Sequence, residues 1–248
     1  MKKFIFSLVA LCVGMCAMAQ SSVYVYQKDG KTLEIAVSNL DSISFTKPTT
    51  GIENGYTWVD LGLSVKWATC NIGATKPEDY GNYYAWGEIK TKDSYTWENY
   101  TLANGSYDAL TKYCDNSSYG NNGFTDELTT LETADDAASQ IWGGNWRMPT
   151  IEELDELVKK CTWTWTTLNG VNGYEIKATN GKSIFLPAAG YRDGDELNGA
   201  GSYGSYWSSS LRADYPNYAQ YVSFGSDYHD TEDSGRYYGH SVRPVLGK

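Results

Sequence analysis

The stretch NWRMPTIEELDELVKKC, residues 145–161, carries the clearest structural signal in the chain. Pro149 ends the preceding segment, and Thr150 and Glu153 have the spacing of a capping box, in which each side chain accepts a hydrogen bond from the other residue's backbone N–H. Apolar side chains then recur on one face of a helix, at Ile151, Leu154, Val158 and Cys161. These features predict an amphipathic helix over Ile151–Cys161.

A shorter helix and a series of strands are predicted on either side of this helix. Thr133 is a suitable N-cap followed by two aspartates, so a helix is predicted over Ala134–Ile141. Alternating or apolar stretches that end in turn signals predict strands at residues 56–62, 64–68, 83–87, 174–177, 183–190, 206–207, 221–224 and 241–245. The predicted fold class is α+β, with two helices and mainly antiparallel, twisted strands.

The N-terminus has the order of a secretory signal peptide. Lys2 and Lys3 precede a short apolar run, and the small-residue site Ala17-Met18-Ala19 follows it. Residues 1–19 are therefore predicted to be cleaved, and the apolar run is too short to cross a bilayer. The expected location is extracellular, at the cell surface or in the periplasm, with no membrane insertion after cleavage.

Two further segments precede the main domain. Residues 20–47 alternate in polarity on both sides of Asp29-Gly30 and predict a short β-hairpin that turns there. The polar, turn-rich residues 48–55 predict a linker. The remaining residues, 56–248, are long enough to bury a single core and are predicted to form one domain.

Composition excludes several classes of partner and site. The formal net charge is −10, so nucleic acids and anionic membrane surfaces, which bind through lysine and arginine, are poor partners. Export would allow one disulfide among Cys70, Cys114 and Cys161, with its pairing open. The two histidines, His229 and His240, do not have the spacing of a zinc site.

Six motifs follow one another along the main domain. They are residues 58–74 (WVDLGLSVKWATCNIGA), 84–88 (YAWGE), 144–150 (GNWRMPT), 187–192 (PAAGYR), 206–210 (YWSSS) and 241–245 (SVRPV). In this order they resemble the Fibrobacter succinogenes major paralogous domain, a family common in exported proteins of Bacteroidetes. The resemblance runs from Tyr56 to Val245 and implies a C-type lectin-like fold, related to that of formylglycine-generating enzymes and of hypervariable binding proteins. Relatives often end in a cysteine that this chain lacks.

The residues do not form a recognisable catalytic motif. No Gly-x-Ser-x-Gly elbow is present, and Gly143-Gly144 does not lead into a phosphate-binding loop. No cysteine follows Cys161, although a formylglycine-generating enzyme would need a reactive pair late in the chain. Arg147 and Arg243, which neighbour aromatic residues or proline, are predicted to be structural. The chain is therefore predicted not to be an enzyme and to use no cofactor.

Several acidic residues near the C-terminus raise the possibility of a calcium site. Carboxylates that could supply oxygen ligands in the last predicted loop are Asp227, Asp230, Glu232 and Asp233. The sugar-binding signatures of C-type lectins are missing, and Tyr215-Pro216-Asn217 is only a partial likeness. No metal site is therefore predicted.

The strongest functional signal is tyrosine among serine, glycine, asparagine and aspartate in the last third of the chain. This composition is typical of antibody-like binding surfaces, because tyrosine gives a large contact area at low entropic cost. The predicted ligand-binding residues are the loop tyrosines Tyr215, Tyr218, Tyr228, Tyr237 and Tyr238. They predict a non-catalytic module that binds an extracellular glycan or protein. The alternatives are a structural or adhesive component of the cell envelope and a glycan-degrading enzyme.

Overall fold

The computed structural model describes residues 21–40 and 48–248. The chain divides into two compact units, Met1–Lys47 and Pro48–Lys248. The predicted signal peptide, residues 1–19, lies outside the described residues. Within those residues, no helix is both long enough and apolar enough to cross a membrane.

The described part of the first unit is a β-hairpin. Its strands, β1 (Ser22–Tyr26) and β2 (Thr32–Ala36), pair antiparallel with Val23 opposite Ile35. Gly30 lies in the turn with a φ of +84°, a backbone conformation that glycine adopts without steric penalty. The hairpin predicted from the Asp-Gly turn signal is therefore present.

The second unit is built from short strands and two α-helices. In chain order its strands are β3 (Thr50–Glu53), β4 (Tyr56–Val59), β5 (Lys66–Ala68), β6 (Trp146–Arg147), β7 (Thr162–Leu168), β8 (Val171–Lys177), β9 (Ser183–Pro187), β10 (Tyr191–Asp193), β11 (Glu196–Asn198), β12 (Gly204–Leu211), β13 (Tyr218–Gly225), β14 (Tyr228–Gly235) and β15 (Val245–Leu246). The α-helices are α1 (Ala137–Ile141) and α2 (Ile151–Lys160).

These strands form four antiparallel sheets. Their strand orders are β3-β4-β5-β15-β6, β7-β8-β9, β10-β11 and β12-β13-β14. The C-terminal strand β15 lies between β5 and β6, so that Val245 is opposite both Trp67 and Arg147. The five-stranded sheet therefore joins parts of the chain that are far apart in sequence.

The predicted α+β class is wrong, because the structure is β-rich. Strands account for 38% of the structure and helices for 12%, and the strands form several small antiparallel sheets. Helix α1 has only five residues and α2 only ten, so neither forms a separate helical layer. The two helices have clear local signals, whereas several strands have polar sequences that do not look like strands. The strand content was therefore underestimated.

Two predicted segments of the second unit, a linker and a strand, have a different structure. Residues 50–53, inside the predicted linker 48–55, form β3 and pair with β4. Gly51 lies against the ring of Trp58, which leaves no room for a larger side chain. The strand predicted at residues 83–87 is reduced to a single bridge between Tyr84 and His240.

Helix α2 confirms the capping box. The Glu153 N–H donates to Thr150 Oγ1 at 3.4 Å, and the Thr150 N–H donates to Glu153 Oε2 at 2.9 Å. The Arg147 guanidinium donates to both carboxylate oxygens of Glu153, at 2.7 and 2.5 Å. Leu154 and Leu157 are the buried residues of the helix, and Leu157 is an addition to the predicted apolar face. The cap and this ion pair fix where α2 begins.

The shorter helix begins later than predicted. Residues 133–135 form a 3-10 turn, and α1 starts at Ala137. Its N-cap is Asp136, whose Oδ1 accepts a hydrogen bond from the Ser139 N–H at 2.9 Å. Asp136 Oδ2 also accepts from the Met148 N–H at 2.8 Å, which ties α1 to the segment before α2. The predicted N-cap Thr133 was therefore three residues too early.

Two large apolar clusters hold the second unit together. The first packs α2 against the sheets β7-β8-β9 and β12-β13-β14, and the second surrounds tryptophans between the five-stranded sheet and the loops. Buried arginines hold the loops to these clusters. Arg243 Nη1 donates to the Ala68 and Thr69 carbonyls, and Nη2 donates to the Phe185 carbonyl. The predicted structural role of Arg243 thus agrees with its contacts.

The disulfide that the sequence allowed is not formed. Cys70, Cys114 and Cys161 are all free thiols. Burial raises the pKa of Cys114 and Cys161, so both thiols stay protonated at neutral pH. The Cys114 thiol donates to the Asn116 carbonyl at 3.2 Å. These cysteines therefore act as small packed side chains.

Candidate functional site

The sheet β12-β13-β14 presents two chemically different faces. Successive side chains in a strand point to opposite faces, and residues paired across an antiparallel sheet share a face. Tyr206, Val222 and Phe224 belong to the face that packs into the core with α2. Tyr221, which is paired with Trp207 on one side and Glu232 on the other, belongs to the opposite face. That opposite face carries a cleft.

This cleft, called here the tyrosine cleft, has a volume of about 480 Å³. Its lining residues are Tyr191, Tyr203, Ser205, Tyr221, Ser223, Tyr228, Glu232, Ser234, Tyr238 and His240. Tyr191 lies in β10 and Tyr203 just before β12, and the others come from the three strands of the sheet and from the segment that follows β14. The volume lies in the range of ordinary small-ligand sites, and five of the ten residues are tyrosine.

A neutral histidine lines the buried side of the cleft. The His240 ring stacks on Trp207 with their centroids 4.0 Å apart. The backbone N–H of His240 donates to the Tyr84 carbonyl, and the Tyr84 N–H donates to the His240 carbonyl. Full burial lowers the pKa of His240 to about 3, so the imidazole is uncharged at neutral pH. Its Nδ1 is buried and has no hydrogen-bond partner in the described structure. An orphaned polar atom of this kind calls for an explanation, and a bound ligand is one.

Beside His240, a phenol is paired with a carboxylate. The Tyr221 hydroxyl donates to Glu232 Oε2 at 3.1 Å, and the Tyr221 and His240 ring centroids lie 4.7 Å apart. Burial raises the pKa of Tyr221, and the Glu232 charge raises it further, so this phenol remains a donor. Glu232 is the only acidic residue that lines the cleft.

The walls of the cleft are tyrosine rings set at different angles. Tyr191 and Tyr238 meet edge to face, with their centroids 5.8 Å apart and their planes 88° apart. Tyr203 and Tyr228 both lie over Gly225, where a side chain would contact Tyr228 Cε1 at 2.7 Å and Tyr203 Cδ1 at 3.5 Å. The absence of a side chain at residue 225 therefore leaves room for both rings.

The five predicted tyrosines do not form one patch. Tyr228 and Tyr238 line the tyrosine cleft. Tyr237 is half-buried and packs between Tyr238 and Trp97. Tyr215, by contrast, is exposed and contacts Tyr119 edge to face at 6.5 Å.

Two of these residues also lie in strands instead of the predicted loops. Tyr218 begins β13 and Tyr228 begins β14. A ligand-binding role for the five residues as a group remains a prediction.

Most of the residues that line the cleft are not among the predicted ligand-binding residues. Tyr191, Tyr203 and Tyr221 stand in or beside strands, and strands favour tyrosine for reasons unrelated to ligands. His240 is not among the predicted ligand-binding residues. The signal that could have found them is the alternation along β14, in which Tyr228, Glu232 and Ser234 stand at even positions. That signal is visible only after β14 is recognised as a strand.

The acidic residues considered for calcium are also dispersed by β14. Because Glu232 and Asp233 are adjacent in this strand, their side chains point to opposite faces. Glu232 accepts from Tyr221, whereas Asp233 accepts from the Arg212 guanidinium at 2.5 Å. Across the described ranges, no group of three or more histidine, cysteine or acidic side chains is arranged to hold a metal ion.

Comparison with known proteins gives the family of the second unit. Neither the curated proteins nor the solved structures contain a significant match to this chain. The family model of the Lcl C-terminal domain matches residues 56–246, which is most of the chain and nearly all of the second unit. The chain therefore belongs to the Lcl C-terminal domain family.

Proposed function

We propose that this chain is an exported, non-catalytic binding module whose ligand occupies the tyrosine cleft. The ligand is a glycan or a protein met outside the cell. The signal-peptide pattern of residues 1–19 supports export. The six sequence motifs support the finer assignment to the Fibrobacter succinogenes major paralogous type, within a family whose match covers residues 56–246.

One observation carries the proposal: the cleft combines five tyrosine rings with polar groups. Tyrosines are rigid and amphipathic, so they bind with little loss of conformational entropy. Ser205, Ser223 and Ser234 add small hydroxyls, and the neutral His240 ring adds a polar aromatic surface. A ligand with flat apolar faces and hydroxyl or amide groups would satisfy both kinds of contact.

The chemistry of the cleft favours binding over hydrolysis. Glycosidases that follow the usual mechanism place two carboxyl groups on either side of the scissile bond. The lining of the cleft contains one carboxylate, Glu232. The cleft therefore suits recognition better than the glycan-degrading alternative.

An exposed aromatic cluster favours a second function. The ring of Tyr119 lies between two exposed tyrosines. Its centroid is 6.4 Å from that of Tyr107 and 6.5 Å from that of Tyr215. Exposed apolar rings in contact are typical of surfaces that pack against another protein. This cluster suits a structural or adhesive component of the cell envelope.

Matched substitutions test the proposal. Purified wild-type protein and the double variant Tyr203→Ala/Tyr228→Ala would be applied to a glycan array and to extracellular protein extracts. Both residues are exposed, so the variant should fold. We expect it to lose the bound ligand, whereas the control Tyr107→Ala/Tyr215→Ala keeps it. Loss of binding only in the control would reject the cleft and favour the envelope function.

A further inference from the structure

The electrostatic character of the tyrosine cleft limits the ligands it can accept. Among the described residues that line it, Glu232 is the only charged one, and none is a lysine or an arginine. His240 adds no positive charge because its imidazole is buried and neutral. The whole chain carries a net charge of −10. An anionic ligand would meet no basic partner in this cleft, whereas a cation would meet a carboxylate.

The aromatic rings strengthen this preference. The face of an aromatic ring is the negative end of its quadrupole, so cations bind over ring faces within about 6 Å of the centroid. Tyr191 and Tyr238 meet almost at right angles and form a corner, while Tyr221 is inclined by 51° to His240. These rings line one cleft at different angles, as the rings of a cation-binding aromatic cage do.

The same chain already holds a cation in this way. Arg236 is fully buried, with its guanidinium carbon 4.9 Å from the ring centroid of Trp86, 5.3 Å from that of Tyr100 and 5.9 Å from that of Tyr113. Its N–H groups donate to the Tyr100 hydroxyl and to backbone carbonyls. A caged cation is therefore compatible with this fold.

We infer that the tyrosine cleft binds an alkylated ammonium group, held by the faces of its tyrosine rings and by the charge of Glu232. This inference rests on the proposed function and names the chemistry of its ligand. A methylated ammonium suits the site because it spreads its charge over an apolar surface that tyrosine rings can contact. Within the proposed function, the group belongs to a methylated lysine side chain of an extracellular protein, and a choline-type source is the outcome that the titrations below would distinguish.

A matched pair of small molecules tests the inference. Choline and 3,3-dimethyl-1-butanol have nearly the same shape, but only choline is charged. Binding of each to the full chain would be measured by NMR titration. We expect choline to bind roughly tenfold more tightly. Equal affinities, or tighter binding of the alcohol, would overturn the inference.

Variants locate the interaction. Glu232→Gln should weaken choline binding about threefold and leave the alcohol unaffected. Glu152→Gln, the same change on the exposed face of α2, should leave both unaffected. Tyr228→Ala should weaken choline binding further, with an unchanged circular dichroism spectrum as the check on folding. Retention of choline affinity in both cleft variants would contradict the inference.

Two additional titrations separate the possible outcomes. Phosphocholine and N-ε-trimethyllysine carry the same ammonium, and the tighter of the two identifies its source. If a neutral glycan binds in a manner sensitive to Tyr203 and Tyr228 while no ammonium compound binds, the cleft remains the site and the cation inference fails. If no ligand responds to the cleft variants, the proposed function fails as well.

Discussion

Arg236 shows how one buried residue joins distant loops. Its guanidinium donates to the carbonyls of Lys112, Tyr113 and Pro216 as well as to the Tyr100 hydroxyl. A buried charge of this kind is tolerated only when its hydrogen bonds are satisfied, and its removal leaves the carbonyls unpaired.

Replacement of Arg236 should therefore be severe. Arg236→Ala is expected to lower the free energy of unfolding by at least about 3 kcal/mol, from unpaired carbonyls and a cavity. Arg212→Ala is the control, because Arg212 is paired with Asp233 at the surface and such pairs contribute about 1 kcal/mol or less. Urea unfolding followed by tryptophan fluorescence measures the free energy of unfolding of both variants. Similar losses of stability in the two would show that Arg236 does not hold the loops together.

His240 links stability to pH. Its pKa is about 3 in the folded chain and 6.5 in the reference state, so below pH 6.5 the unfolded chain takes up a proton that the folded chain does not. Its contribution to stability is complete above pH 6.5 and is lost as the pH falls towards 3. The groups that face it are the phenol rings of Tyr191, Tyr221 and Tyr238, and Glu232 lines the same cleft.

This linkage predicts a measurable slope. Between pH 7 and pH 5 His240 should reduce the free energy of unfolding by about 2 kcal/mol. His240→Phe should remove that part of the decline. His229, whose pKa is also lowered by burial, supplies the control His229→Phe, which should remove less because this residue is partly exposed. Denaturation curves at pH 7 and pH 5 measure the free energy of unfolding of each variant. If His240→Phe loses as much stability between the two pH values as the wild type, His240 is not the source of the decline.

At the scale of the element, α2 depends on its N-terminus. Thr150→Ala removes the acceptor for the Glu153 N–H and should destabilise the protein by about 1 kcal/mol, or roughly 2–4 °C in melting temperature. Thr150→Ser retains the hydroxyl and should lose less than half of this. Thermal melts followed by circular dichroism measure the difference. Equal shifts in the two variants would mean that the hydroxyl does not stabilise the helix.

The contrast between α2 and β14 explains what the sequence could predict. A capping box and an apolar face are local signals, so α2 was predicted to within one residue of its end. Strand β14 has the polar sequence YHDTEDSG and was predicted as a loop. It is a strand because it pairs with β13 along its whole length. Pairing of this kind depends on the partner strand and leaves little local trace.

The same limit explains the outcome for the site. Tyrosine enrichment pointed to the third of the chain that contains the tyrosine cleft, and two of the five predicted residues line it. Tyr191 and His240 are brought there by bridges between segments that are distant in sequence, such as Tyr84 with His240. The sequence could therefore indicate the kind of surface, but not which rings face one another.

At the scale of the whole molecule, the described core belongs entirely to the second unit. All three clusters of buried apolar side chains lie between Val59 and Leu246. A chain of residues 48–248 should therefore fold by itself, with a melting temperature within about 3 °C of that of the full chain, which corresponds to about 1 kcal/mol.

A second truncation, which removes a strand of the core, is the comparison for the chain of residues 48–248. A chain of residues 48–244 lacks β15, which pairs with β5 on one side and β6 on the other. Loss of β15 leaves β6 without a strand partner and β5 paired only with β4, and it uncovers buried side chains such as Trp67, so this chain should not melt cooperatively. Differential scanning calorimetry of the two truncated chains is the measurement. If residues 48–244 melt like residues 48–248, the sheet does not depend on its central C-terminal strand.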